Sequence, residues 1–243
     1  MAMKTTLVVG ANGGIGHAVV NYLCEDPTIS LIETVSRSEY KHQDKRVFHT
    51  VIDVASEDSI KRYVNERKTS HQRFDAVYIC TGILHSDKAP ALKPEKRLED
   101  ISQRQFLEYF QINTIQPSIW LSALVSVMTN NYSVIALITA RVGSIEDNRL
   151  GGWYGYRSSK AALNMVIKSA AVEYARRSPS TILLSYHPGT VDTSLSKPFQ
   201  ANVAPKKLFT ADFTAQRLVD LSYSLDIEES PYFLDWAGKP IPW

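Results

Sequence analysis

The sequence predicts an α/β fold: a single domain built as a doubly wound parallel sheet with helices on both faces, a three-layer α/β/α sandwich. Three observations carry this. Short β-branched runs alternate with longer helical stretches along the chain. The runs are almost continuously apolar, as in strands buried on both faces. A glycine-rich turn, Gly10-Ala11-Asn12-Gly13-Gly14-Ile15-Gly16, joins the first run to the first helical stretch.

Thr5–Gly10 forms the first strand, and Ile15–Cys24, with apolar residues at helical spacing, forms a helix that stops before Pro27. Leu31–Val35 and Arg46–Val51 read as the next strands. Ser59–Glu66 reads as a helix behind the cap Ser56-Glu57-Asp58. Ala76–Cys80 is the fourth strand, and the polar stretch Ser86–Glu99 is a loop. Ser102–Met128 predicts one long helix with a reset near Asn113 and Pro117. Ser133–Thr139 is the fifth strand, followed by a helix over Tyr156–Arg176, rich in Ala, Leu and Lys. Thr181–His187 is the sixth strand, Ser194–Leu208 with Pro198 and Pro205 a loop, and Ala211–Leu225 the last helix. A short run at Tyr232–Leu234 closes the sheet. No internal repeat or low-complexity linker divides residues 1–243, which therefore read as one domain.

The charge is nearly balanced, 27 basic against 25 acidic residues, which gives no electrostatic case for a nucleic-acid or membrane partner. The N-terminal Met1-Ala2-Met3-Lys4 runs straight into a short strand, without the apolar core and cleavage site of a secretory leader. The apolar stretch Ile115–Met128 falls short of a membrane span. Cys24 and Cys80, with no CxxC pattern, suit a reducing compartment. The expectation is a cytoplasmic protein. No His, Cys or carboxylate cluster has metal-ligand spacing, so no catalytic metal is expected.

At the glycine turn the chain reverses sharply, and bare backbone lets a pyrophosphate approach a helix N-terminus whose free N–H groups and dipole favour anions. The same residues could form a tight turn without a ligand, but the position after the first strand of an alternating chain is the context that a dinucleotide site requires. This predicts a Rossmann-type fold with Gly10, Asn12, Gly13, Gly14, Ile15 and Gly16 at the cofactor. Arg37, flanked by Ser36 and Ser38, follows the second strand and suits the 2′-phosphate of NADP(H), whereas Glu33 lies earlier, inside the strand. The reading is NADP(H) over NAD(H), with a merely solvated Arg37 as the alternative. Asp53, beside Val54, could accept from an adenine amino group or cap the following helix. Cys80-Thr81-Gly82 ends the fourth strand beside the expected cofactor groove.

Tyr156-Arg157-Ser158-Ser159-Lys160 opens a helix with Tyr156 and Lys160 one turn apart on one face. A phenol near pKa 10 is a poor acid–base group at neutral pH, and a neighbouring ammonium stabilises its phenolate. Such a pair also occurs by chance on exposed helices. Its combination with the glycine turn points to proton transfer at an oxygen.

In their order along the chain these motifs resemble the short-chain dehydrogenases/reductases. They are Gly10/Gly14/Gly16, Thr81-Gly82, Asn113, Tyr156/Lys160 and His187-Pro188-Gly189-Thr190-Val191-Asp192-Thr193. Ala140 through Ile145, Gly151-Gly152-Trp153-Tyr154 and the terminal Pro242-Trp243 resemble the C-factor-like branch in particular. The resemblance implies an NAD(P)-dependent oxidoreductase interconverting a carbonyl and an alcohol. Tyr156 would be the general acid or base, Lys160 would lower its pKa and bind the nicotinamide ribose, and Asn113 would hold a relay water. Pro188, Gly189, Val191 and Thr193 would meet the nicotinamide amide. The resemblance also implies a homodimer or homotetramer paired through the helices at Ser102–Met128 and Tyr156–Arg176.

One position departs from the pattern. Where the family places a serine hydroxyl after the fifth strand, this chain has Ala140. Thr139 is the expected catalytic substitute and Ser144 the other candidate; losing one such donor costs roughly 3–4 kcal/mol of transition-state stabilisation. The substrate is expected to be a small organic carbonyl or alcohol, met by His85, Trp153 and Tyr154, with Leu84, Val142 and the Ser194–Leu208 loop as further wall candidates. Ala140 keeps a second class of function open, a dinucleotide-binding signalling or regulatory protein with little turnover. An epimerase or dehydratase is a third, for which the chain has no separate substrate domain.

Overall fold

The computed structural model describes residues 3–243, apart from the side chains of Asn202 and Pro205. Met1 and Ala2, where the N-terminal run begins, lie outside the described residues. In chain order the elements are β1 (Lys4–Val9), α1 (Gly14–Glu25), β2 (Ile29–Ser36), β3 (Val47–Val51), α2 (Glu57–Thr69) and β4 (Ala76–Ile79). Then come α3 (Gln103–Phe110), α4 (Gln116–Leu124), β5 (Ser133–Ile138), α5 (Tyr154–Arg177), β6 (Thr181–His187), β7 (Thr190–Val191), β8 (Leu208–Phe209), α6 (Ala211–Ser222) and β9 (Tyr232–Asp235).

Seven strands form one parallel sheet in the order β3-β2-β1-β4-β5-β6-β9, the doubly wound arrangement. Strand parity explains why the strands read as continuous apolar runs. Leu7 and Val9 of β1 join Val77, Ile79, Ile135 and Leu137 in a core beneath α2, α4 and α5. Val8, Tyr78, Val134 and Ala136 face the opposite way, under α1 and α6. The order reverses between β1 and β4, so the strand C-termini there open the crevice where ligands bind in such sheets.

The predicted long helix over Ser102–Met128 is divided. Between α3 and α4 lies a π-helical turn, Gln111–Ile115, centred on the fully buried Asn113. The Asn113 side chain binds the Ile83 backbone through both its amide groups and also donates to Ser159 Oγ. Thr114 donates to the Ser159 carbonyl at 2.7 Å. These contacts to β4's exit loop and to α5 favour the wider turn over a regular ladder. Ser56, not Asp53, caps α2 by accepting from Ser59 N–H. Asp53 instead accepts from the Ala55 amide in a tight local turn. The segment predicted as loop over Ser194–Leu208 carries two short 3₁₀ turns and ends in the small parallel pair β7–β8.

Candidate active site

Gly10 leaves β1 at φ +87°, and a Cβ on Gly16 would run into the Gly10 carbonyl, so this turn closes only around glycine. A Cβ on Gly14 would lie 2.7 Å from Thr193 Cγ2, which places the turn against the loop after β6. The N-terminus of α1 has no side-chain cap and no acidic residue in its first turn, which leaves N–H groups for an anion. Asn12 does not enter the cavity. Its Nδ2 reaches Ser36 Oγ at 2.9 Å and the Ser38 carbonyl at 3.0 Å, tying the glycine turn to the segment that carries Arg37.

Arg37 is exposed and has no ion-pair partner among the described residues. Glu33, the acidic residue of that strand, is buried and committed elsewhere, with Arg67 at 2.9 Å, Gln72 at 2.6 Å and the Tyr63 hydroxyl all bonded to its carboxylate. His49 on β3 braces the same corner, binding Thr34 Oγ1 at 2.9 Å and the Ser38 carbonyl at 3.0 Å. Nothing in its sequence neighbourhood marks His49, because only pairing between β2 and β3 brings it there.

A cavity of about 300 Å³ opens at the C-terminal ends of β4, β5 and β6. It is bounded by Ile15 of α1, Cys80-Thr81-Gly82, Ile138-Thr139-Ala140, Tyr156 and Lys160, and the stretch from His187 to Val191 with Thr193. Four expectations thus converge from segments far apart in sequence: the glycine-turn helix, the strand-four glycine, the Tyr–Lys pair and the Pro-Gly segment. Thr81 Oγ1 and His187 Nδ1 are buried at this cavity without a hydrogen-bond partner among the described residues. Unpartnered buried polar atoms beside a glycine cradle fit a bound polar ligand such as a dinucleotide.

Tyr156 and Lys160 are both buried on the first turns of α5. Lys160 Nζ donates to the Ile138 carbonyl at 2.9 Å. Burial pushes the Tyr156 phenol well above its usual pKa and brings the Lys160 ammonium down to about 8. The Tyr156 hydroxyl has no hydrogen-bond partner among the described residues, and its ring stands between Trp153 (centroids 6.2 Å) and Tyr109 (6.1 Å). Gly143 lets the turn after β5 press on α5, since a Cβ there would lie 2.8 Å from Lys160 Cβ.

Ala140 packs with Tyr156, Leu84 and Tyr109 in the small cluster at the cavity. Thr139 also lines the cavity, but its hydroxyl pairs with Ser185 Oγ at 2.8 Å, and Ser185 donates to Asn164 at 2.7 Å. Strand alternation aims Thr139 at this sheet–helix contact. Ser144 lies outside the cavity lining and accepts from the Asp147 amide at 3.0 Å. Arg141 lines the cavity and extends to Asp235 at 3.0 Å and Asp147 at 3.7 Å. Burial, then the Arg141 charge, lowers His187 to about 4.

Trp153, Val142, Leu84, Leu195, Phe199 and Val203 make the outer wall. Trp153 meets Phe199 edge to face at 5.2 Å. His85 is outside the lining; its ring packs on Phe199 and its Nε2 lies 3.0 Å from the Ser194 carbonyl. Tyr154 is also outside, and Val54 is buried in the core under α2. Asn113 lies behind Gly82, where a Cβ would meet Asn113 Oδ1 at 3.5 Å and Lys160 Nζ at 3.6 Å. Among the described residues no group of three or more His, Cys, Asp or Glu side chains gathers as a metal site. No helix there is long and apolar enough to cross a membrane.

A family model described as short chain dehydrogenase matches residues 4–204. Over 241 residues the chain is 29% identical to 1-hydroxy-2-glutathionyl-2-methyl-3-butene dehydrogenase of Rhodococcus sp. (strain AD45), covering 99% of this chain and 100% of that protein. It is 33% identical over 147 residues to C-signal of Myxococcus xanthus, covering 60% of this chain and 83% of that one. The NADPH-bound carbonyl reductase from chicken fatty liver superposes with a TM-score of 0.83 at 22% identity over 100% of both chains, a likeness of fold. Glycine turn, strand order and Tyr–Lys helix thus agree with the family match, and the chain belongs to the short chain dehydrogenase family.

Proposed function

We propose that this protein interconverts a carbonyl and an alcohol with NADP(H), working chiefly as a reductase. The observation that carries the reading is the meeting of Tyr156, Lys160, Thr81-Gly82 and the Pro188–Val191 segment around one cavity. The glycine turn, Thr81 and the Pro188–Thr193 segment would hold the dinucleotide, which when bound supplies the hydride. Arg37 would meet a 2′-phosphate, supported by its free, exposed guanidinium and by Glu33 being occupied by Arg67. Asp53, exposed just past β3, would flank the adenine, with Val54 reaching it through its backbone alone because its side chain is buried.

Tyr156 donates a proton to the substrate oxygen. Its raised pKa keeps the phenol protonated at neutral pH, which suits reduction. Lys160, charged below about pH 8, stabilises the phenolate left behind. Asn113 holds the backbone at Ile83 in place behind Lys160, and a relay water there remains part of the proposal. With Ala140 beside Tyr156 and the Thr139 hydroxyl on Ser185, the phenol is the principal donor to the oxygen. The mostly apolar, aromatic walls suit a ring-bearing ketone or aldehyde. Exposed Leu107, Ile115, Met165 and Val172 on the α3–α5 faces support pairing of two copies there, and the free thiols Cys24 and Cys80 suit a reducing cytoplasm.

The missing strand-five hydroxyl favours a second reading, a cofactor-binding regulatory protein with little turnover. NADPH oxidation against a panel of aldehydes, ketones and quinones separates the two. Turnover that is lost in Tyr156→Phe supports the reductase. NADPH binding without turnover across the panel supports the regulatory protein. Arg37→Ala should weaken NADPH about tenfold or more and leave NADH unchanged; equal effects on both would overturn the NADP(H) assignment.

A further inference from the structure

Ahead of α5 the backbone takes three successive left-handed residues, Gly151 (φ +64°), Gly152 (φ +66°) and Trp153 (φ +53°, ψ 42°). The two glycines tolerate this readily. An aromatic residue with a Cβ does not, and such a conformation persists only where its surroundings impose it. The constraint comes largely from one residue of the preceding loop. Glu95 is 1% exposed. Its carbonyl accepts the Trp153 amide at 2.5 Å, and its carboxylate accepts the Gly155 amide at 3.2 Å. From the other side, Arg157 Nε donates to the Gly152 carbonyl at 2.9 Å.

A buried carboxylate with a single hydrogen bond is costly unless its position matters. Oε1 of Glu95 has no partner among the described residues, and it lies where the helix N-terminus offers positive potential. Gly155 makes the approach possible, since a Cβ there would lie 2.9 Å from Glu95 Oε1 and 2.5 Å from the Tyr109 ring. Tyr109 is fixed in turn by donating to the Leu84 carbonyl at 2.8 Å. The consequence falls on the cavity. Trp153 and Tyr109 flank the Tyr156 ring, and Trp153 continues to Phe199 as the outer wall.

We propose that Glu95 is a positioning residue for this site: it clamps the left-handed Gly151–Trp153 turn and so sets the indole as the wall that selects ring-bearing carbonyl substrates. The selection rests on the carbonyl chemistry proposed above; the clamp itself does not.

Two measurements test this on the full-length protein. The first is hydrogen exchange of the segment 151–157 in wild type, Glu95→Gln and Glu95→Ala, with Glu99→Gln as an exposed control. Glu95→Ala should expose the Gly155 amide, whose acceptor is the side chain, and speed exchange of the Trp153 amide only by loosening the turn, since its main-chain acceptor remains; Glu95→Gln, which keeps an oxygen acceptor, should hold both. The second is the ratio of kcat/KM for benzil to that for 2,3-butanedione, which share a reacting group and differ in rings. Glu95→Ala should lower this ratio about tenfold, as should Trp153→Ala, and the double variant should lower it no further because both act through one wall. Unchanged exchange in Glu95→Ala would overturn the clamp, and multiplying effects on the ratio would overturn its action through Trp153. If no variant or wild type turns over either diketone, the carbonyl reading fails while hydrogen exchange still decides the clamp. Should Glu95→Ala fail to fold, Glu95→Asp carries the same test: it keeps a carboxylate but withdraws it by one methylene, and it should expose the Gly155 amide.

Discussion

Lys160→Met replaces a buried ammonium with an apolar side chain of similar length, and its two effects on stability oppose each other. Burial brings the ammonium from 10.5 to about 8. At about 1.36 kcal/mol per pH unit, carrying the charge costs the folded state ~3 kcal/mol at neutral pH. Methionine removes that cost but leaves the Ile138 carbonyl without its donor, a loss of roughly 1–2 kcal/mol. The net gain is about 1–2 kcal/mol, a rise in Tm of several degrees for a chain of this size at about 2–4 °C per kcal/mol. The pH dependence is the sharper test. Between about pH 8 and 10.5 the unfolded chain keeps the proton and the folded one does not, so wild-type stability rises with pH in that window. Below pH 8 both states are charged and the full cost is present. The advantage of Lys160→Met should therefore be largest below about pH 8, reach zero near about pH 9–10, and become a deficit of about 1–2 kcal/mol by pH 10.5, where the neutral amine still donates to the Ile138 carbonyl. Activity should fall by about a hundredfold or more with the cation gone. Thermal unfolding followed by circular dichroism across this range checks it. A pH-independent difference between the two proteins, or a methionine variant less stable at neutral pH, would refute the reasoning.

Carbonyl reduction should be level from neutral pH to about 8 and decline above it as Lys160 loses its proton, while Tyr156 stays protonated throughout; initial rates of NADPH oxidation at saturating cofactor show the shape. Ala140→Ser restores a hydroxyl beside Tyr156 and should raise kcat by about one to two decades, measured on the best substrate of the panel; a kcat at or below wild type would mean that another donor already serves the oxygen. Gly16→Ala sets a Cβ against the Gly10 carbonyl and should weaken NADPH binding at least about tenfold, with a stability loss on the order of 1–3 kcal/mol; calorimetric titration and thermal unfolding read the two.

Much of this is legible in the sequence. Thr181–His187 is bounded as its apolar run predicts, and the other strands of the seven-stranded sheet differ only at their ends, while the short pair β7–β8 has no counterpart in the sequence reading. The apolar runs place Gly10, Cys80 and Thr139 inside strands, and all three lie just past them, because each strand turns where it meets the cavity. Tyr156 and Lys160 fall on one helix face because helical spacing requires it.

Composition, periodicity and motif order were thus enough to determine the α/β class, one domain and the residues at which to look for chemistry. They could do so because strand and helix periods and the backbone demands of a glycine turn are local properties. Only the tertiary structure decided what each polar side chain faces. It assigned the Thr139 hydroxyl to Ser185, Glu33 to Arg67 and Asn12 to the Ser36–Ser38 corner, and it took His85 and Tyr154 out of the cavity wall. It also brought Glu95 to the start of α5, 60 residues away in sequence. A hydrogen bond depends on where two distant backbones meet and at what angle, and no spacing within one segment encodes that.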